Sequence, residues 1–224
     1  MEILEKALAE GRNTLSEYES KILLKAYGIP VTEEILATDM GSLMKAVEKI
    51  GYPLVLKGAS SKIAHKTEKG LIKVDIRNNE EAGAAFTEIM DAMDDDDGAV
   101  LVQELVKGQR ELVVGLTRDP QFGPCVMFGL GGIFTEILKD ISFRVAPLEK
   151  RDALEMMKDI KGHKILDAVR GMEAADLDQL AEILVTVGKI GLENEAIKEI
   201  DMNPVILSGS RPIAVDALVV IEKP

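Results

Sequence analysis

Lys57-Gly-Ala-Ser-Ser-Lys-Ile-Ala-His-Lys-Thr-Glu-Lys-Gly70 gathers four lysines (57, 62, 66 and 69), two glycines and three hydroxyl residues between two apolar segments. Small residues let backbone N–H groups approach an anion closely, and lysine adds a point charge suited to phosphate. A solvated basic loop is the plainer alternative. Lys57 argues against it, because it ends the apolar stretch Pro53–Lys57, and ligands of α/β folds gather at strand ends. His65 lies inside the loop and titrates near neutrality, so it suits a phosphoryl-accepting nucleophile, an acid/base group, or simply an exposed side chain.

A second constellation lies near the C-terminus. In Glu199-Ile-Asp-Met-Asn203 a period of two separates Ile200 and Met202 from Glu199, Asp201 and Asn203. A turn at Ser208–Arg211, with Gly209-Ser210 at its centre, sets Leu207 opposite Pro212 and Asn203 opposite Asp216. Directly opposed Cβ atoms lie roughly 5 Å apart, close enough to share one cation. Asp216 interrupts an otherwise apolar stretch, Ile213–Ile221. Asp201, Asn203 and Asp216 offer oxygen only, a donor set that favours Mg²⁺ held together with nucleotide phosphates and water. A partly exposed edge hairpin is the competing reading.

A third constellation runs from Gly129 through Gly131 and Gly132 to Glu136, Lys139 and Arg144. It reads equally as a phosphate-contacting segment, with Arg144 stabilising a transferring phosphoryl group, or as a crossover loop. Gln103-Glu-Leu-Val106, followed by Glu111, offers an adenine-binding edge and a ribose-binding carboxylate.

The elements that must position these residues alternate along the chain. Ser16 with Glu19 forms a capping-box signature, Ile22, Leu23 and Ala26 give an apolar stripe, and Gly28 and Pro30 end that helix. A strand at Glu34–Ala37 and a helix carrying Leu43, Ala46, Val47 and Ile50 follow, then strands at Pro53–Lys57 and Leu71–Ile76. Asn78 with Glu81 opens a helix striped by Ala82, Ala85, Phe86, Ile89 and Met93. Strands Val100–Val106 and Glu111–Thr117 read as a hairpin through Lys107–Arg110, and Cys125–Phe128 as a further strand. Helices are expected at Lys150–Asp159, Lys164–Arg170 and Leu177–Ile190, and strands at Ala196–Leu207 and Pro212–Ile221. His163 reads as structural. The pattern predicts an α/β or α+β chain of two lobes, residues 1–98 and 99–224, dividing near Gly98.

Composition removes several function classes. The 224 residues carry 27 basic and 39 acidic side chains, net charge −12, which argues against a nucleic-acid or membrane-surface binder. One cysteine rules out an internal disulfide, and with two histidines it cannot form an ordinary zinc site. There is no G-x-x-x-x-G-K-[ST], and Phe134 stands where a dinucleotide fingerprint needs its third glycine. Met93–Glu104 matches a calcium loop only in part, with Met93 at its first position, so Asp94–Asp97 reads as a solvated turn. The longest uncharged run, Pro120–Thr135, has 16 residues including four glycines, too short to span a bilayer. The N-terminus carries acids where a secretory signal is basic. These features predict a soluble cytoplasmic protein.

Together the motifs resemble the ATP-grasp β subunits of ADP-forming acetyl-CoA (acyl-CoA) synthetases and, more distantly, of succinyl-CoA synthetases. The resemblance is carried by Leu15–Pro30, Val55-Leu-Lys-Gly58, Ile63-Ala-His-Lys-Thr-Glu68, Met127–Glu136, Phe143–Leu148 and Glu199–Pro204, and so spans nearly the whole chain. It implies two lobes with ADP or ATP bound between them. It implies Lys57, Gly131 and Gly132 at the phosphates, Glu104–Val106 at the adenine, Glu111 beside the ribose or phosphates, and Mg²⁺ on Asn203 and Asp216 with Asp201. Glu136 and Arg144 would join His65 in catalysis. His65 would be a phosphohistidine that relays phosphate between a histidine of an α subunit and ADP, in an α2β2 enzyme that converts acetyl-CoA, ADP and phosphate to acetate, ATP and CoA. One departure is visible: the family often has two glycines after its His-Lys-Thr-acidic stretch, whereas here Leu71 follows Gly70. A self-contained ATP-grasp ligase acting through an acyl-phosphate, a nucleotide-binding regulatory module and a fragment of a fused synthetase are the alternatives.

Overall fold

The computed structural model describes residues 2–59, 70–93, 98–132, 140–169 and 171–223. The chain packs as two compact units, residues 32–105 and residues 1–31 with 106–224.

The smaller unit is a four-stranded antiparallel sheet. Its strands are β1 (Glu34–Ala37), β2 (Leu54–Ala59), β3 (Ile72–Ile76) and β4 (Ala99–Glu104), in the order β1-β4-β2-β3. Helices α3 (Met40–Ile50) and α4 (Asn79–Met93) bring Leu43, Ala46, Val47, Phe86 and Ile89 into one core with Leu54, Leu56, Val100 and Val102. Asp39 caps α3 by accepting the Ser42 N–H at 2.7 Å, and Asn78 accepts the Glu81 N–H at 2.9 Å before α4.

The larger unit opens with α1 (Glu2–Ala9) and α2 (Glu17–Ala26). The expected Ser16/Glu19 capping box is formed, the Glu19 N–H bonding Ser16 Oγ and the Ser16 N–H bonding Glu19. Its antiparallel sheet holds β5 (Glu111–Asp119), β6 (Gly123–Leu130), β7 (Ile141–Val145), β8 (Ile197–Ser208), β9 (Arg211–Ala214) and β10 (Leu218–Ile221). The order is β10-β8-β5-β6-β7, with β9 also on β8. Helices α5 (Lys150–Asp159) and α6 (Leu177–Glu193) cover one face through Met156, Met157, Leu180, Leu184 and Val187, which share a core with Val114, Leu116, Val126, Ile200 and Met202 of the sheet. Residues 13–15 close the β10 edge: the Leu15 N–H bonds Val219 O at 2.9 Å and the Ile221 N–H bonds Asn13 O at 2.8 Å.

The structure corrects several expectations. Both sheets are antiparallel, so of the two expected classes the fold is α+β, and Lys57 does not end its strand, since β2 runs on to Ala59. The division does not fall near Gly98. β4 pairs with β1 and β2, which carries the smaller unit through Leu105, while Leu4, Ala7, Leu15, Leu23 and Leu24 pack the first 31 residues into the larger core. β4 and β5 lie in different sheets and form no hairpin. The expected strand Pro212–Ile221 breaks into β9 and β10 around Asp216, whose Oδ1 accepts the Ala217 N–H at 2.8 Å. The expected helix at 164–170 shortens to a 3₁₀ turn, His163–Leu166, where His163 Nδ1 lies 3.1 Å from Ile160 O.

Candidate functional site

In the larger sheet, alternation sends Leu112, Val114, Leu116, Ile200 and Met202 into the core under α5 and α6. Glu199, Asp201 and Asn203 take the opposite, outer face, as their period of two predicts. The β8–β9 register is the expected one, Leu207 opposite Pro212 around the Gly209-Ser210 turn. Gly209 at φ 62° is the positive-φ residue of that two-residue turn, as a type II′ hairpin requires. Beyond β9 the Val215 N–H bonds Pro204 O at 3.0 Å, and further along Leu218 pairs with Asp201. These pairings bracket Asn203 and Asp216 and keep them across from one another.

A β-bulge lies at the same place. Leu112 pairs with Val205 and Val114 with Met202, so Asn203 and Pro204 together oppose Val113. The extra residue resets the alternation of β8, so Ile206 joins Asn203 on the outer face, where its partner Glu111 lies by the unbroken period of β5. Glu111 meets the glycine turn there. The Gly131 N–H bonds Glu111 O at 2.8 Å, and a Cβ on Gly131 would lie 2.8 Å from the Glu111 carbonyl carbon. A Cβ on Gly132, at φ +63°, would lie 2.7 Å from Glu111 Oε2. The two glycines are therefore what allows the Glu111 carboxylate to occupy this position.

The outer face is electrostatically strained. Burial pushes the Asp201 carboxyl up to about 6, with Glu199 and then Asp216 adding like charge. A cation would relieve that crowding, and the donors are all oxygen, so the residues present fit Mg²⁺. Among the described residues no three His, Cys, Asp or Glu side chains converge into a metal-holding group. Two carboxylates and an amide form an open set that suits an ion whose other ligands are phosphate oxygens and water.

Arg144 does not join this face. In β7 it alternates with Phe143 and Val145, lies on the α5 side and pairs with Asp159. The sequence motif Phe-Arg-Val is a strand, and the strand period carries the guanidinium away from the carboxylates. His65 and Glu136 lie outside the described residues.

In the smaller unit Lys57 is 6% exposed and alternates with the core residues Leu54 and Leu56, so it takes the sheet face away from α3 and α4, in a row with Leu101 and Ile72. Glu104 is occupied locally: its Oε1 accepts the Glu33 N–H at 2.8 Å, and its own N–H bonds Glu33 O at 3.0 Å. The Leu105 N–H bonds Pro53 O at 3.1 Å. The Glu104 side chain thus braces the end of β4, and an adenine edge at 104–106 would be built from backbone groups. Sequence reasoning missed Arg110, whose signal was only that it directly precedes Glu111.

A family described as ATP-grasp domain matches residues 6–221. The chain belongs to this ATP-grasp family. It is 48% identical over 225 residues to the acetate–CoA ligase [ADP-forming] I subunit beta of Pyrococcus furiosus, covering 98% of this chain and 97% of that protein. It is 40% identical to acetate–CoA ligase [ADP-forming] I of Archaeoglobus fulgidus, covering 98% of this chain but 33% of that longer protein. Among solved structures, a Candidatus Korarchaeum cryptofilum acetyl-coenzyme A synthetase 1 superposes with a TM-score of 0.89 at 42% identity, covering 99% of both chains. That structure is a complex with coenzyme A and Mg-AMPPCP, its phosphohistidine segment pointing towards the nucleotide-binding site. No helix among the described residues is long and apolar enough to cross a membrane.

Proposed function

We propose that this chain is the nucleotide-binding β subunit of an ADP-forming acetyl-CoA synthetase. With an α subunit it interconverts acetyl-CoA, ADP and phosphate with acetate, ATP and CoA. The observation that carries the reading is one sheet face where Glu111 lies against Gly131 and Gly132, in line with Asn203 across from Asp216. Near-full-length identity to β subunits of this enzyme class supports it.

Each residue has a distinct task. Lys57 supplies positive charge to nucleotide phosphates, and the backbone of 104–106 offers an edge to adenine. Glu111 accepts hydrogen bonds from ribose hydroxyls, and the Gly131–Gly132 turn leaves room for phosphate to approach the backbone. Asn203 and Asp216, with Asp201, would hold Mg²⁺, which neutralises charge on the phosphate oxygens. His65 takes the phosphoryl group as a P–N bond forms to its imidazole and the bond to a histidine of the α subunit breaks. It then gives that group to a β-phosphate oxygen of ADP. A relay of this kind suits two sites too far apart for direct transfer. An α2β2 assembly belongs to the same proposal.

The test is phosphohistidine formation. Wild type and His65→Ala are incubated with Mg²⁺ and γ-labelled ATP, with and without the α subunit, and this chain is assayed for acid-labile, base-stable label. Label on wild type alone is expected, with His65→Ala losing synthetase turnover but keeping Mg-nucleotide binding. Nucleotide bound without label on either protein would instead favour a self-contained ligase or a binding module. Asp216→Ala should weaken the Mg²⁺-dependent part of nucleotide binding by at least the roughly tenfold that loss of an outer-shell partner costs a metal site. Unchanged Mg²⁺ dependence would remove the hairpin from the site.

A further inference from the structure

Arg110 is 3% exposed and stands one residue before Glu111. A buried guanidinium is costly unless its N–H groups are satisfied. Here they bond four backbone carbonyls: Ile165 O at 3.1 Å, Asp167 O at 3.4 Å, Glu173 O at 2.7 Å and Gly209 O at 2.9 Å. Those carbonyls come from the 3₁₀ turn and its exit, the approach to α6, and the β8–β9 turn. The same segments bond one another, the Asp176 N–H to Ser210 O at 2.9 Å and the Ala175 N–H to Leu166 O at 2.8 Å. Arg110 O in turn accepts the Leu207 N–H at 3.0 Å, one step from the Glu111–Ile206 pair.

We propose that Arg110 is the positioning residue of the nucleotide site, fixing from behind the sheet the backbone from which Glu111 reaches the ribose. The inference rests on the reading of Glu111 given above and adds what holds it there. A planar fork with five donors is suited to this task, because it can bond several carbonyls in fixed directions at once. Lysine has three donors on a flexible stem, and methionine fills a similar volume with no donor. Without the fork, the residue before β5 loses its side-chain tie to the hairpin turn, and the Glu111 carboxylate next to it loses its fixed place beside Gly132. Fold stability alone would change the amount of folded protein. It would not change which sugar the folded protein prefers.

The experiment compares ADP with 2′-deoxy-ADP, both with Mg²⁺, on the full chain assembled with its α subunit. Proteins are wild type, Glu111→Ala, Arg110→Lys and Arg110→Met, and binding is read by titration calorimetry. Wild type should prefer ADP by about tenfold, the worth of one hydrogen bond to a charged group. Glu111→Ala, which leaves no acceptor, and Arg110→Met should both bring that ratio near one, and Arg110→Lys should lie between, while affinity for 2′-deoxy-ADP shifts by less than about threefold. A folded Arg110→Met with the wild-type ratio, beside a Glu111→Ala that has lost it, would overturn the positioning role and leave the site reading intact. A Glu111→Ala that keeps the ratio would overturn the ribose reading and this inference with it. If Arg110→Met does not fold, Arg110→Lys decides: a reduced ratio supports the proposal and an unchanged one overturns it.

Discussion

Two carboxylates in the larger unit are pushed in opposite directions. Asp201 rises because burial and the charges of Glu199 and Asp216 disfavour its ionised form. Glu19 is held down to about 2, chiefly by hydrogen bonds from the Arg12 guanidinium at 2.7 and 2.9 Å, with burial opposing and the Ser16 N–H and hydroxyl assisting. One is a carboxylate crowded by burial and like charge, and the other is a carboxylate paired with a guanidinium. The sign for Glu19 follows from linkage: its native pKa lies below the ordinary 4.5, so its stabilisation is complete above about pH 4.5 and fades as pH falls toward 2. Glu19→Gln should therefore lower the melting temperature at pH 7, and the gap to wild type should close between pH 4.5 and 2. A gap that stays constant across that window would show that the Arg12 pair contributes no pH-dependent stability. At this scale the candidate site was legible wherever counting sufficed. Asn203 opposite Asp216 follows from one two-residue turn, and Glu111 takes the same face by the period of β5, whereas its pairing with Ile206 depends on a bulge in β8 that no spacing rule reveals.

Elements with caps are legible in the sequence, and elements with inverted patterns are not. Ser16 with Glu19 and Asn78 with Glu81 announce helix starts by local chemistry, and both are present. β7 is hidden because its pattern is reversed: Ile141, Phe143 and Val145 face outward, while Ser142 bonds Met156 O and Arg144 turns toward α5. β4 and β5 look like a hairpin because both are apolar strands with a polar tetrad between them. The partners that separate them, Glu33 and Pro53 for β4 and β8 for β5, are distant in sequence. Helix α6 shows the converse, a long apolar stripe that dictates its own burial. Leu184 there is fully buried in the larger core, so Leu184→Ala should cost about 2–5 kcal/mol, read from the urea midpoint. A loss below about 1 kcal/mol would mean that α6 repacks freely around the cavity.

Each unit of the molecule owns a separate hydrophobic core. Leu56, fully buried between the smaller sheet and its helices, belongs to one of them alone. Leu56→Ala should accelerate amide exchange in β2 and β4 and leave the slow amides of β5 and β8 near their wild-type rates. Equal acceleration in both sheets would mean that the two cores unfold as one.

The pairing of residues 13–15 with β10 has a consequence for the protein in concentrated solution. Strand edges with unpaired N–H and C=O groups invite other chains to add on, and β10 is apolar along Leu218–Ile221. A chain lacking residues 2–15 would lose Leu4, Ala7 and Leu15 from the core as well as bare that edge, and two such molecules that keep β10 paired with β8 could zip together edge to edge. Light scattering of the shortened protein should grow with concentration, whereas the full chain should stay constant. Residues 13–15 thus act as a selvedge that keeps the sheet from being woven into its neighbours.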